Sequence, residues 1–298
     1  MAIPFFRSST RSLNAENPAI GEFIDFAGRK LHYVSEGPTD APALVLLHGA
    51  SGNLRDWTSS VFDDLAKSWR VIAFDRPGYG HSDLLPEKSW LIQPQTRVLN
   101  AAMTRLGHRK YAVLGHSYGV AVALDWALQF PDHVSGIVAM SGAMTSWAGA
   151  LGWRYRWGGV SPIGALMGAI VPLVASQKVL ETELAEVFAP QAMPASYIEN
   201  GGVRLALRPR TFALNLRAMD TLHSQTMEIM SAIPDVLCPT EVLHGGADEI
   251  IPFDPEAGPV ASLARFSHTV VLQGIGHMPH HVAGPEVLAA VDRLRARL

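Results

Sequence analysis

Cysteine is almost absent. Cys238 stands alone in 298 residues, which excludes an intrachain disulfide and fits a reducing compartment. Charge is also sparse, at 17% of the chain with a formal net charge of -3, and the basic residues are scattered. That distribution lacks the footprint of a nucleic-acid binder. Internal repeats and low-complexity tracts are missing. The opening MAIPFFRSSTRSLNAENPAIG has two arginines but no continuous apolar core of leader length, so it reads as a short, poorly fixed arm. One uncharged stretch, 157–177 (WGGVSPIGALMGAIVPLVASQ), approaches membrane length. Its two prolines and four glycines favour a buried or pocket-lining element over a span. Peripheral membrane contact through it stays open as the second reading, beside an expected cytoplasmic location.

What is present is a core-forming chain, 48% apolar, with a regular rhythm. GEFIDFAGRKLHYVSEG (21–37) reads as a hairpin of strands 22–26 and 30–36 around Ala27-Gly28. ALVLLHG (43–49), the start of WRVIAFDRPGYGHSD (69–83), KYAVLG (110–115) and HVSGIVAMSG (133–142) are continuous apolar runs, as expected of strands buried on both faces. Helical stretches fall between them near 57–66, 90–106 and 118–130. From 143 to 231 the rhythm breaks into a Trp-, Met-, Gly- and Arg-rich region expected to form irregular helices. It resumes with strand 240–246, a helix near 255–264, strand 268–274 and a helix from 284 onward. The expectation is an α/β fold with a mostly parallel sheet, its core made of 1–142 and 232–298 and a helical cap over 143–231.

GHSYG (115–119) sits between strand and helix and fits G-x-S-x-G. Ser117 there would be held on a sharp turn whose flanks admit only glycine, at the positive end of the following helix. A serine hydroxyl needs a base, itself oriented by an acid. His277 lies in a tight glycine loop after the last strand, and Asp248 in the loop after the strand before it. The order Ser117, Asp248, His277 places all three after strand C-termini, where an open parallel sheet forms its crevice. The backbone amides of Tyr118 and Ala50 are the expected oxyanion donors, with Ser51 as runner-up for the second.

Competing assignments are weaker. Glu249 would point away on the turn that carries Asp248, and no acid follows the strand ending near Met140. His280 and His281 lie close to His277, but a matching metal-ligand set is missing elsewhere, and no metal is expected. His116 is expected to pack beside the elbow, and His48 to order its own loop. Met144, Trp147 and Trp153, with Ser51 and Met278, are the candidate substrate-lining residues; Trp157, Met167 and Phe188 extend the same apolar character, with core packing as the plain alternative. The cap arginines read as a solvated basic face.

LLHGASGN, FDRPGYGHSD, LGHSYG, HGGADEIIP and GIGHMPHH, in that order, resemble the α/β-hydrolase fold superfamily in its capped serine-hydrolase, carboxylesterase-like branch. The resemblance covers 21–142 and 232–298. It implies an eight-stranded sheet flanked by helices, a cap between strands six and seven, no cofactor, and a small-molecule, ester-like substrate. Serine at 117 departs from the aspartate of dehalogenases and epoxide hydrolases of this fold. Met278 departs from the tryptophan common in C–C hydrolases, and HGASG from the HGGPG of proline iminopeptidases. Carboxylic-ester hydrolysis is the expected activity. C–C bond hydrolysis or lactone hydrolysis stand behind it, and a ligand-binding or tetrapyrrole-accessory role is the non-enzymatic alternative.

Overall fold

A computed structural model describes residues 10–26, 28–85, 88–142, 177–253 and 266–298. Eight strands form one sheet: β1 (22–26), β2 (29–36), β3 (43–47), β4 (70–74), β5 (111–116), β6 (134–140), β7 (240–245) and β8 (267–272). Their spatial order is β1-β2-β4-β3-β5-β6-β7-β8. The β1–β2 and β2–β4 pairs are antiparallel, and every later pair is parallel.

The central strands are buried on both faces because helices cover both. In β3, Val45 and Leu47 face one side, where they join Leu99, Met103, Val122 and Trp126 from α4 (92–105) and α5 (118–129). Leu44 and Leu46 face the other, with Trp57, Phe62, Val287 and Leu294 from α2 (55–58), α3 (62–66) and α10 (284–295). Each such leucine contributes roughly 1.5–3 kcal/mol by leaving water. The edge strand β8 is partly exposed, as its single covered face requires.

Two expectations change. The helix near 57–66 is two short helices, α2 and α3. At the break, the hydroxyls of Ser59 and Ser60 donate to the carbonyls of Arg55 (2.7 Å) and Asp56 (2.8 Å), competing with helix continuation. The N-terminal arm is docked from Thr10 onward. Helix α1 (10–16) buries Leu13, Arg55 donates to Pro18 O (2.6 Å), and Arg208 donates to Asn14 Oδ1 (3.1 Å). Its polar letters gave no sign of these long-range partners.

Between β6 and β7 the described part of the insertion is helical: α6 (177–188), α7 (197–200) and the 23-residue α8 (209–231). Helix α8 starts with Pro209 at its first position, where the missing N–H costs nothing. No helix among the described residues is long and apolar enough to cross a membrane. Most of the 157–177 stretch lies outside those residues, as do the helix expected near 255–264 and Met144, Trp147, Trp153, Trp157 and Met167.

Candidate active site

Strand β5 ends and α5 begins without a connecting loop, and Ser117 takes the whole turn at φ +53°. A non-glycine residue at positive φ is strained, and the surroundings here enforce it. A Cβ on Gly115 would strike the backbone of Gly119, and one on Gly119 would strike Leu47 O, each well inside 3.0 Å. The glycines of GHSYG are therefore demanded by the close approach of helix α5 to strands β5 and β3.

Asp248 follows β7 and His277 follows β8, and the fold brings them together. His277 Nδ1 donates to Asp248 Oδ2 at 2.8 Å, with both side chains buried. Burial pushes the Asp248 carboxyl up. Bonds from His244 and His277 and the Ile251 amide outweigh it and hold the group below its ordinary range. The other oxygen, Oδ1, accepts from the amides of Ile250 and Ile251, each at 2.9 Å. Glu249 is exposed. His277 also touches the elbow: His116 Nε2 donates to its carbonyl at 2.8 Å, and the two rings lie 5.0 Å apart. The loop after β3 closes the same corner, since a Cβ on Gly49 would lie 3.2 Å from Ser117 Cβ.

That loop is held by residues whose part was not readable from the sequence. The fully buried Arg76, from FDRPGYGHSD, donates to Gly49 O (2.8 Å), His48 O (3.1 Å) and Gln95 Oε1 (3.0 Å). Its guanidinium stacks on Tyr79 and Tyr118 at 4.3 and 4.4 Å. His48 does order its loop. Its Nδ1 donates to Gly49 O (2.9 Å) and its Nε2 accepts the Arg76 amide (3.1 Å), while burial and the neighbouring arginine push it down to about 3. Ala50 is half-buried against the core, and Ser51 is exposed at φ +55°. The Ser51 amide donates to Asn215 Oδ1 on α8 at 2.9 Å. No motif marks Asn215; only its place on the inward face of an apolar-periodic helix could have drawn attention to it.

Met278 is buried with Phe188, Tyr197 and Val203 in a small cluster under the insertion. His280 and His281 turn away from His277 toward Asp56, donating to its two oxygens at 3.1 and 2.9 Å. Burial, against the pull of Asp56, holds His280 down at about 4. Among the described residues, Asp56, His116 and His280 are the group that could hold a metal ion, with candidate ligand atoms within 4.8 Å of one another. The Asp56 oxygens there are already engaged by imidazoles and by Tyr197, and the His280 ring lies against Trp57 and His116 at 4.8 and 4.6 Å. A separate cleft of about 860 Å³ lies between α4, α5 and α8, lined by Arg97, Asp125, Gln129 and Gln225. None of Ser117, Asp248 and His277 lines it.

Residues 42–160 match the family model described as alpha/beta hydrolase fold. The magnesium-chelatase 30 kDa subunit of Rhodobacter capsulatus is 27% identical over 256 residues, covering 84% of this chain and 85% of that one. A RutD protein of Cronobacter sakazakii, named for carbamate hydrolysis, is 34% identical over 125 residues. That match spans 41% of this chain and only 44% of the relative. The solved structure of a meta-cleavage product hydrolase from Pseudomonas fluorescens superposes with a TM-score of 0.73 at 18% identity, covering 94% of this chain and 99% of that one. The match over 42–160 and the order of the eight described strands agree: the chain has the α/β-hydrolase fold.

Proposed function

We propose that this hydrolase-fold chain is a serine hydrolase that cleaves carboxylic esters with apolar, small to medium acyl or alcohol groups through an acyl-enzyme. The observation that carries the reading is the 2.8 Å His277–Asp248 bond, formed by residues 29 apart on two separate loops, of which the His277 loop also touches the Ser117 elbow. Ser117 Oγ attacks the ester carbonyl while His277 Nε2 takes its proton. Asp248, held ionised, keeps the imidazole tautomer with its proton on Nδ1. The amides of Tyr118 and Ala50 receive the oxyanion; Ser51 is the weaker candidate because Asn215 already engages its N–H. Loss of one such donor costs about 2.7–4 kcal/mol of transition-state stabilisation. His277 then protonates the leaving alcohol, and water repeats the sequence on the acyl-enzyme. Lactones and C–C substrates need the same first steps and belong in the same substrate panel. Ser117→Ala is expected to abolish turnover of a chromogenic ester and labelling by a fluorophosphonate; full labelling of that variant would overturn the assignment.

A second, non-enzymatic reading is favoured by a relative that matches over most of both chains and is named as a magnesium-chelatase subunit. Here the chain would serve a tetrapyrrole-metallating complex as an accessory protein, with peripheral membrane contact through 157–177. Wild-type protein that turns over no ester, lactone or C–C substrate but co-purifies with magnesium-chelatase subunits would favour this reading. Liposome co-sedimentation lost on deleting 157–177 is the expected sign of the membrane contact.

A further inference from the structure

The loop that carries His277 has few fastenings of its own. In the core, Ala247 N donates to Ile275 O at 2.8 Å, and the elbow contributes the His116 bond to the carbonyl of His277. The Asp248 bond fixes one point of the imidazole, Nδ1. The ring can still swing about that point unless the backbone beneath it is held.

Beyond these and the turn bond from Ile275 N to Leu272 O (3.2 Å), further fastenings come from one stretch of the insertion, 189–197. Ahead of His277, Gln191 Nε2 donates to Gly274 O (2.7 Å) and its Oε1 accepts the Gly276 amide (2.9 Å). A single side-chain amide thus pairs with the backbone on both sides of Ile275, as a neighbouring strand would. The approach is close enough that a Cβ on Gly276 would collide with Ala189 O. Behind His277, the Tyr197 hydroxyl donates to Asp56 Oδ1 at 3.0 Å. The same carboxylate receives His280 and His281, the residues that carry the chain away from the site. Asp56 is buried, and burial would raise its pKa, but the bonds and charge of His280 and His281 hold it well below its ordinary value.

We propose that Gln191 and Tyr197 are positioning residues for His277: the insertion grips the histidine loop from both sides and sets the attitude of the base toward Ser117. This rests on the serine-hydrolase reading above. Neither residue touches the reacting atoms. Gln191 holds the backbone leading into the base, and Tyr197 holds the carboxylate that anchors the backbone leading out.

The test uses the full chain with Gln191→Met, which keeps volume and removes both bonds, and Tyr197→Phe, which removes one hydroxyl. Gln191→Met is expected to lower kcat on a chromogenic ester by about 10- to 100-fold with KM nearly unchanged, the signature of misplaced chemistry rather than weakened binding. Tyr197→Phe should lower kcat several-fold, and Gln191→Glu, which keeps the acceptor for Gly276, should fall between wild type and Gln191→Met. The downfield proton resonance of the His277–Asp248 hydrogen bond should broaden in Gln191→Met while the thermal midpoint stays close to wild type. A Gln191→Met enzyme with wild-type kcat and a sharp downfield resonance would overturn the proposal, as would a kcat loss matched by an equal loss of folded protein. If wild type itself turns over no ester, the functional reading falls, and the resonance still decides whether the insertion orients the imidazole.

Discussion

The two sides of the site are held by different parts of the molecule. On the Ser117 side, Arg76, His48 and Gln95 are buried core residues, and together with the glycines of the elbow they lock loop 48–50 and Ser117 to the sheet. On the His277 side, the backbone at 274–276 and the Asp56 carboxylate bond to Gln191 and Tyr197, both from the insertion. Ser117 is therefore fixed by the core, whereas His277 is held jointly by core and insertion. Damage to the first side should cost stability together with activity, and damage to the second should cost activity alone.

The largest effect is expected at the His277–Asp248 bond. Asp248→Asn retains shape but favours the wrong histidine tautomer, and kcat should fall by about 10⁴-fold in steady-state assays. Next comes Arg76→Ala. It strips bonds from Gly49 O, His48 O and Gln95 in a buried interior, and should cost roughly 3–5 kcal/mol in urea unfolding, with activity falling alongside. A wild-type denaturation midpoint for that variant would break the contrast with Gln191. Asn215→Ala should be milder, about 1–2 kcal/mol in transition-state stabilisation, because a single hydrogen bond to the Ser51 amide is lost.

The smallest effect is a pH slope in stability. His48 and His280 are held at about 3 and about 4, below the ordinary 6.5, by burial. The unfolded chain then binds protons that the folded chain refuses. The stability these groups contribute is complete above about 6.5 and is lost as pH falls toward 4 and then 3. Asp248 adds to the same trend, since its depressed pKa supports the fold above the ordinary carboxylate range and fails only in stronger acid. Urea midpoints between pH 7 and 4 should fall steadily, and His280→Gln should flatten part of the slope.

Much of the frame was legible because parallel strands buried on both faces read as uninterrupted apolar runs. ALVLL, KYAVLG and HVSGIVAM lie within a residue or two of β3, β5 and β6. Asp248 and His277 were legible as loop positions after strands, and the fold places them in contact. What escaped was long-range polar chemistry. Arg76 looked like one letter of a glycine-rich loop, and nothing in its surroundings announces that it folds back over 27 residues to Gly49. Asn215 and Gln191 sit 164 and 85 residues from the backbone groups they engage. Such bonds have no periodicity, because they follow from how two segments meet, not from either segment alone.

The Ser51–Asn215 bond has a practical consequence for anyone re-engineering this scaffold. Transplanting an insertion from another hydrolase is a natural route to new substrates, on the view that the roof is interchangeable and the machinery below is not. Here the roof carries an acceptor for an amide next to the expected oxyanion donor. A graft that leaves no amide oxygen at that point would loosen the loop it was meant only to cover. Chimeras of this protein should therefore be chosen by what their eighth helix offers to Ser51 before they are chosen by the shape of their pocket.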